Sequence, residues 1–225
     1  MRRQINKIRN SIRTWLRQRP YHKVAKAVMR QKCGLDRNEH HVLCIGNSIT
    51  IHPPCKAVQW SFNHGMAASC PENDYCHVLE QKLRQLNISS TVTPINIAVW
   101  EENFSLDLDE LLHSICRGKD IIIIRIGENV KDVQNFERAL SHLITYVRQY
   151  TGTIILTGQF WPNELKEKAV VVNAQKYNLP YVPLDWIWEL YRDECTPSNG
   201  ESPFVCEHPN DYGMKLIADA IYNVL

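Results

Sequence analysis

Residues 120–129 read Asp-Ile-Ile-Ile-Ile-Arg-Ile-Gly-Glu-Asn, and this stretch decides the class of fold. Its four successive isoleucines leave no position for a solvent-facing polar side chain, so they predict a strand that is covered on both faces. Strands of this kind belong to parallel sheets that carry helices on each side.

Similar apolar runs lie on either side of this stretch, at 41–46 and 92–98 before it and at 153–158 and 180–184 after it. Segments with apolar residues at helical spacing alternate with these runs. The apolar residues of these helical patterns are Tyr75, Val78, Leu79, Leu83 and Leu86, then Val133, Phe136, Leu140, Leu143, Ile144 and Val147, and finally Met214, Ile217, Ala218 and Ile221 after Pro209. The alternation predicts an α/β protein with a parallel sheet between two layers of helices.

The composition is that of a globular protein, with 44% hydrophobic and 22% charged residues in a chain of 225. These values exclude wholesale disorder. No run approaches the ~18 apolar residues that a membrane-spanning helix needs. The first 30 residues lack the apolar core of a secretory signal, so we expect a cytoplasmic protein.

The charge is unevenly distributed along the chain. Residues 1–37 carry twelve Lys and Arg against one acid, a net charge of +11, while 14 bases and 23 acids leave −9 on the remainder. We therefore predict a basic helical arm at 1–38 and an acidic domain at 39–225.

The arm has an apolar stripe at helical spacing, and basic residues flank it over 2–17. Such a helix suits an anionic membrane surface or a face of the acidic domain. An organelle transit peptide has a similar composition. Only Trp15 and Tyr21 are available to stack on bases, which argues against a nucleic-acid partner.

Eight cysteines raise the question of disulfides or a metal. Without an export signal we expect thiols that are mostly reduced and buried. The residues that a zinc site would use are Cys70, Cys76 and His77, or His40 and His41. The chain has no CxxC pair and no second ligand pair at zinc-finger spacing, so we predict no metal.

Polar residues stand where predicted strands end and where the last helix begins. Residues 46–50 read Gly-Asn-Ser-Ile-Thr, 127–129 read Gly-Glu-Asn, and 208–213 begin His-Pro. Ligands of parallel sheets bind beyond the carboxyl ends of the strands. A serine, an asparagine and a histidine that converge there supply a nucleophile, an oxyanion donor and a general base, the groups that acyl transfer requires.

In this order the three blocks resemble those of the SGNH (GDSL-type) hydrolases. Residues 46–50 resemble the first block, usually written GDS; 127–129 resemble the GxN block; and His208-Pro209 with Gly213 resembles the final HPxxxG block. The resemblance covers roughly residues 41–225. It implies a three-layer α/β/α fold with a flavodoxin-like five-stranded parallel sheet, and ester hydrolysis through an acyl-enzyme without a cofactor.

Carried over by position, the resemblance makes Ser48 the nucleophile and His208 the base. Asn129 would donate its side-chain amide to the oxyanion, together with the backbone N–H of Ser48. A glycine N–H after the second strand supplies the family's third donor, and Ala98 is the nearest counterpart here.

The sequence departs from the family at the acid, because Val205 stands three residues before His208, where an aspartate is usual. Loss of the aspartate function from a triad can cost on the order of 10⁴ in turnover. Glu207 is adjacent to the histidine, but neighbouring side chains of an extended segment point apart. We expect a Ser–His dyad whose imidazole is held by a backbone carbonyl or by a distant carboxylate, with Glu128 and Asp185 as candidates.

These residues leave three functions open. The first is a serine esterase acting on a small or glycan-borne O-acyl ester, for which acetyl is the simplest acyl group. The second is an acyl transferase that uses a sugar hydroxyl in place of water. The third is a non-catalytic binding protein, which the valine at 205 favours. The segment 51–69 follows the nucleophile and is rich in aromatic residues, so it either covers the acyl pocket or packs beside the sheet.

Overall fold

The computed structural model describes residues 33, 35, 39–86, 89–197 and 202–225. The predicted arm at 1–38 lies outside the described residues except for Cys33 and Leu35. The backbone N–H of Cys33 donates to the carbonyl of Val224 at 2.7 Å. The membrane, packing and nucleic-acid interpretations of the arm, and its boundary at residue 38, remain predictions.

A single sheet of five parallel strands forms the centre of the protein. The strands are β1 (Glu39–Gly46), β2 (Ser89–Asn96), β3 (Ile121–Ile124), β4 (Thr153–Thr157) and β5 (Tyr181–Val182), and they lie in the order β2-β1-β3-β4-β5. This is the flavodoxin-like order. The predicted three-layer fold is confirmed, and the four isoleucines of β3 are all buried.

Helices cover both faces of the sheet. They are α1 (Tyr75–Arg84), α2 (Ala98–Glu102), α3 (Leu108–Cys116), α4 (Val133–Val147), α5 (Glu164–Tyr177), α6 (Asp185–Cys195), α7 (Pro203–Cys206) and α8 (Asp211–Tyr222). One group consists of α8 packed against α1 and α6, and the other has α4 packed between α3 and α5. Over the described residues no helix is long and apolar enough to cross a bilayer.

The chain leaves the sheet earlier after β2 than the apolar run at 92–98 predicts. Strand β2 ends at Asn96, and Ala98 begins the short helix α2. The side chain of Asn96 explains the early end, because its Oδ1 accepts the backbone N–H of Ala98 at 2.9 Å and turns the chain into the helix.

Helix α5 was not predicted, because its buried residues do not form an apolar stripe. Lys166, Glu167 and Asn173 are buried along with its apolar residues. Polar residues on the inner side of a helix cancel the amphipathic pattern from which a helix is recognised.

The eight cysteines are all free thiols. Cys44, Cys76, Cys116 and Cys195 are buried and the other four are half-buried. Within the described part of the chain, no three His, Cys, Asp or Glu residues lie close enough together to hold a metal ion.

Candidate active site

Ser48 and His208 meet at the carboxyl end of β1. The turn after the strand is closed by hydrogen bonds from the N–H groups of Thr50 and Ile51 to the carbonyl of Asn47, at 2.9 and 3.1 Å. Ser48 Oγ lies 2.9 Å from Nε2 of His208, although the two residues are 160 positions apart in the sequence. Both side chains are largely buried, with 9% of Ser48 and 2% of His208 exposed.

The carbonyl of Phe204 orients the imidazole of His208. Nδ1 of the ring lies 2.9 Å from this oxygen. A carbonyl can only accept, so Nδ1 carries the proton and Nε2 of the neutral ring is left to accept from the Ser48 hydroxyl. This is the backbone-carbonyl alternative of the two that the sequence left open.

The ring is neutral over the physiological range. Burial lowers the pKa of His208 to about 4, with smaller contributions from Arg125 and His52, while the hydrogen bond to Phe204 acts in the opposite direction. A neutral imidazole is the form that can take a proton from serine.

Among the described residues, none of the three carboxylates considered for His208 forms a hydrogen bond with its ring, whose partners are Ser48 and Phe204. The side chain of Glu207 is exposed, and its backbone carbonyl accepts from Trp161 Nε1 at 3.2 Å. Glu128 forms a buried ion pair with Arg125. Asp185 is the first residue of α6 and is 1% exposed.

Val205 belongs to a small apolar cluster. Its side chain packs with Trp60 and Met66 of the segment 51–69, and all three are buried. The backbone N–H of Met66 also donates to the carbonyl of Ser48 at 2.9 Å. The segment is therefore fixed both to the turn that carries Ser48 and to α7.

A carboxylate that was not predicted, Glu101, contacts the Gly-Glu-Asn block. Oε2 of Glu101, which is fully buried, accepts from Asn129 Nδ2 at 2.7 Å and from Asn47 Nδ2 at 3.2 Å. Its Oε1 accepts the backbone N–H of Gly127. The N–H of Ala98 donates to the Asn96 side chain and is engaged in this conformation.

A second carboxylate completes a buried polar network around Asn47. Glu128 Oε2 accepts from Asn47 Nδ2 at 2.6 Å, and Glu128 Oε1 accepts from Arg125 Nη2 at 2.6 Å and from the N–H of Phe160 at 3.0 Å. Arg125 Nη1 donates to Asn47 Oδ1 at 3.1 Å. The signal for this network in the sequence is Arg125 itself, a charge inside an apolar strand run that must find a buried partner.

Aromatic side chains surround His208. The ring of Phe204 lies 5.0 Å from the imidazole, and Trp161 contacts the imidazole edge-to-face at 5.2 Å. Trp161 is in turn 6.4 Å from Trp188. Phe204 is 49% exposed, so the surface next to His208 presents an aromatic face to solvent.

The order of the strands defines a flavodoxin-like α/β fold, with Ser48 and His208 beyond the carboxyl edge of the sheet. Solved esterase structures share this fold. An acetylxylan esterase from Geobacillus stearothermophilus has a TM-score of 0.56 at 16% identity, over 82% of this chain and 93% of its own. A psychrotrophic esterase from a Pseudoalteromonas species, inhibited by monoethylphosphonate, has a TM-score of 0.57 at 16% identity, over 82% and 96%.

A two-domain esterase active on acetylated mannans has a TM-score of 0.59 at 19% identity. The similarity covers 89% of this chain and 56% of that protein. No family model and no curated protein matches the sequence. At these identities the comparisons establish the fold.

Val205→Asp tests whether position 205 can take the acid that the SGNH hydrolases usually have there. We expect the free energy of unfolding to fall by about 2–3 kcal/mol, because the carboxylate would be buried against Trp60 and Met66 without a partner. We also expect no gain in ester turnover. Urea denaturation measures the first effect.

Val99→Asp is the matched control, since Val99 is 59% exposed. It should change the free energy of unfolding by less than about 0.5 kcal/mol. A stable Val205→Asp variant with faster turnover would show that the new carboxylate reaches the imidazole.

Proposed function

We propose that the protein is a serine esterase of the SGNH type, with Ser48 as nucleophile and His208 as general base. The observation that carries this proposal is the 2.9 Å contact between Ser48 Oγ and His208 Nε2, in a ring whose other nitrogen is held by a carbonyl. This geometry is that of a nucleophile, a base and a group that orients the base.

The reaction proceeds through an acyl-enzyme. Ser48 Oγ attacks the ester carbonyl carbon while its proton moves to Nε2 of His208, and the imidazolium then gives this proton to the departing alcohol oxygen. Water then gives a proton to the same nitrogen and attacks the acyl carbon; the bond from this carbon to Ser48 Oγ breaks, Nε2 returns the proton to Oγ, and the free acid is released. The backbone N–H of Ser48 and the amide of Asn129 stabilise the oxyanion in both halves.

In a Ser–His dyad without a carboxylate, the charged imidazolium form of His208 is less stable than in a triad. A neutral carbonyl at Nδ1 stabilises the charged ring less than a carboxylate would, and burial already holds the pKa of His208 at about 4. We therefore expect slower turnover than a triad gives.

The substrate that we propose is a small or glycan-borne O-acyl ester, with acetyl as the simplest acyl group. The exposed ring of Phe204 and the partly exposed ring of Trp161 next to His208 suit the apolar face of a sugar. Two of the structural neighbours act on acetylated glycans, a xylan and a mannan.

The second candidate is a non-catalytic binding protein on the same fold, and the observation in its favour is the valine at 205. It predicts a serine that does not react. The esterase and the binding protein therefore differ in one measurable property, the reactivity of Ser48 towards a phosphonylating reagent.

Labelling with a fluorophosphonate, read by intact mass, tests the nucleophile. We expect a single adduct on the wild-type protein and none on Ser48→Ala, because only a hydroxyl activated by His208 reacts quickly. Ser48→Ala should lower ester turnover by a factor on the order of 10³ or more without loss of folding.

Ser61→Ala is the control, since Ser61 is an exposed serine of the segment 51–69 and should label like the wild type. Absence of an adduct on folded wild-type protein would favour the binding protein. With mixed sugar acceptors, acyl sugars in place of free acid would indicate a transferase.

Phe204→Ala tests the aromatic face. We expect KM for an acetylated xylo-oligosaccharide to rise roughly fivefold relative to KM for 4-nitrophenyl acetate, because about 1 kcal/mol of ring contact is lost. The ratio of the two substrates cancels any effect of the ring on His208. Leu190→Ala, at a 46% exposed position on α6, should leave the ratio unchanged. An unchanged ratio in Phe204→Ala would place the sugar elsewhere.

A further inference from the structure

Glu101 is a fully buried carboxylate that the mechanism above does not use. It reaches the site from α2, outside the three blocks that carry the proposed catalytic residues. Its two oxygens accept hydrogen bonds from Nδ2 of Asn129, Nδ2 of Asn47 and the backbone N–H of Gly127. Its hydrogen bond with Asn129 therefore restrains the orientation of the Asn129 side-chain amide.

The amide group of Asn129 is planar and has two N–H bonds at a fixed angle. When Glu101 Oε2 takes one of them at 2.7 Å, the direction of the other is set as well. The same carboxylate holds the N–H of Gly127, two residues before Asn129, so it restrains both the backbone and the side chain of this block.

We propose that Glu101 is a positioning residue for the oxyanion hole, which binds one N–H of Asn129 so that the other points to the carbonyl oxygen of an ester at Ser48. This inference rests on the esterase function proposed above. Glu101 touches no reacting atom and acts through Asn129.

The charges that face Glu101 come from two elements besides its own. From the end of β3 come Glu128, a like charge, and Arg125, which is paired to Glu128. From α5 comes Lys166, whose Nζ donates to the carbonyl of Glu128 at 3.1 Å. Arg125 is paired with Glu128 and Lys166 donates to a backbone carbonyl, so among the described residues neither cation forms an ion pair with Glu101.

The balance of these effects leaves Glu101 close to its titration point at neutral pH. Burial and then the charge of Glu128 raise its pKa to about 7, against the hydrogen bonds from Asn129, Gly127 and Asn47, which lower it. The ionised form accepts from all three donors. A proton on either oxygen turns one acceptor into a donor next to other donors. The hydrogen bonds that hold the Asn129 block therefore weaken.

Turnover should therefore fall as the pH drops through about 7, well above the pKa of about 4 at which His208 gains its charge. The two groups act in separate ranges. The variants described next separate a fall caused by Glu101 from one caused by His208.

The experiment measures kcat and KM for 4-nitrophenyl acetate over roughly pH 5–9 in the wild type, Glu101→Gln, Asn129→Ala and the double variant. In the wild type we expect kcat to fall by about tenfold in total between pH 8 and pH 5.5 and then to level off, with little change in KM. In Glu101→Gln, kcat should be about tenfold lower at pH 8 and should not fall further towards pH 5.5.

Asn129→Ala should lower kcat by about 10²–10³ and should also lose the fall near pH 7, since Glu101 would have no amide to aim. Adding Glu101→Gln to Asn129→Ala should cost less than about twofold, because the two residues act as a unit. If Glu101→Gln does not fold, the pH profile of Asn129→Ala still decides.

Glu102→Gln is the matched control. Its side chain is 51% exposed and pairs with Lys131 on the surface, so its kcat profile should follow the wild type. A fall near pH 7 that persists in Glu101→Gln or Asn129→Ala, independent losses in the double variant, or a wild-type kcat that rises on protonation would overturn the proposal. A wild type that cleaves no ester and takes no fluorophosphonate would instead overturn the esterase function, and this inference with it.

Discussion

The parallel pairing of β1 with β3 is the constraint on which the site depends. The two strands are neighbours in the sheet, and their register pairs Ile45 with Ile124. Both of these isoleucines are buried. Because their carboxyl ends reach the same edge, the turn that carries Ser48 and the block that carries Asn129 must lie next to each other. The active site that we propose combines Ser48 from one of these segments with Asn129 from the other.

Beneath that edge the protein buries three charged side chains, Glu101, Arg125 and Glu128, around the amide of Asn47. Buried charges are tolerated when they are paired and fully hydrogen-bonded, and removing one partner leaves another uncompensated. The network links α2, the turn that carries Ser48 and the block after β3 by hydrogen bonds. The oxyanion hole that we propose would need donors held in place in this way.

The surroundings of His208 contain no carboxylate partner among the described residues. The carbonyl of Phe204 bonds to Nδ1 of His208, and Val205 lies in an apolar cluster. Phe204 sets the tautomer of His208 from four residues before it, within the turn of α7. Val205 meanwhile packs against Trp60 and Met66 and fastens the segment 51–69 over the same edge of the sheet. Position 205 therefore contributes to apolar packing and supplies no carboxylate to His208.

The sequence by itself determined the class of fold, since the isoleucines of β3 and the helical spacing of Val133–Val147 report local periodicity. It also indicated Ser48, Asn129 and His208, because polar residues at strand ends converge in a parallel sheet. Only the tertiary structure showed that Glu101 reaches Asn129 and that Val205 turns to Trp60. The physical reason is that these contacts join residues 28 or more positions apart, and their side-chain directions follow from packing between elements, which no local spacing in the sequence encodes.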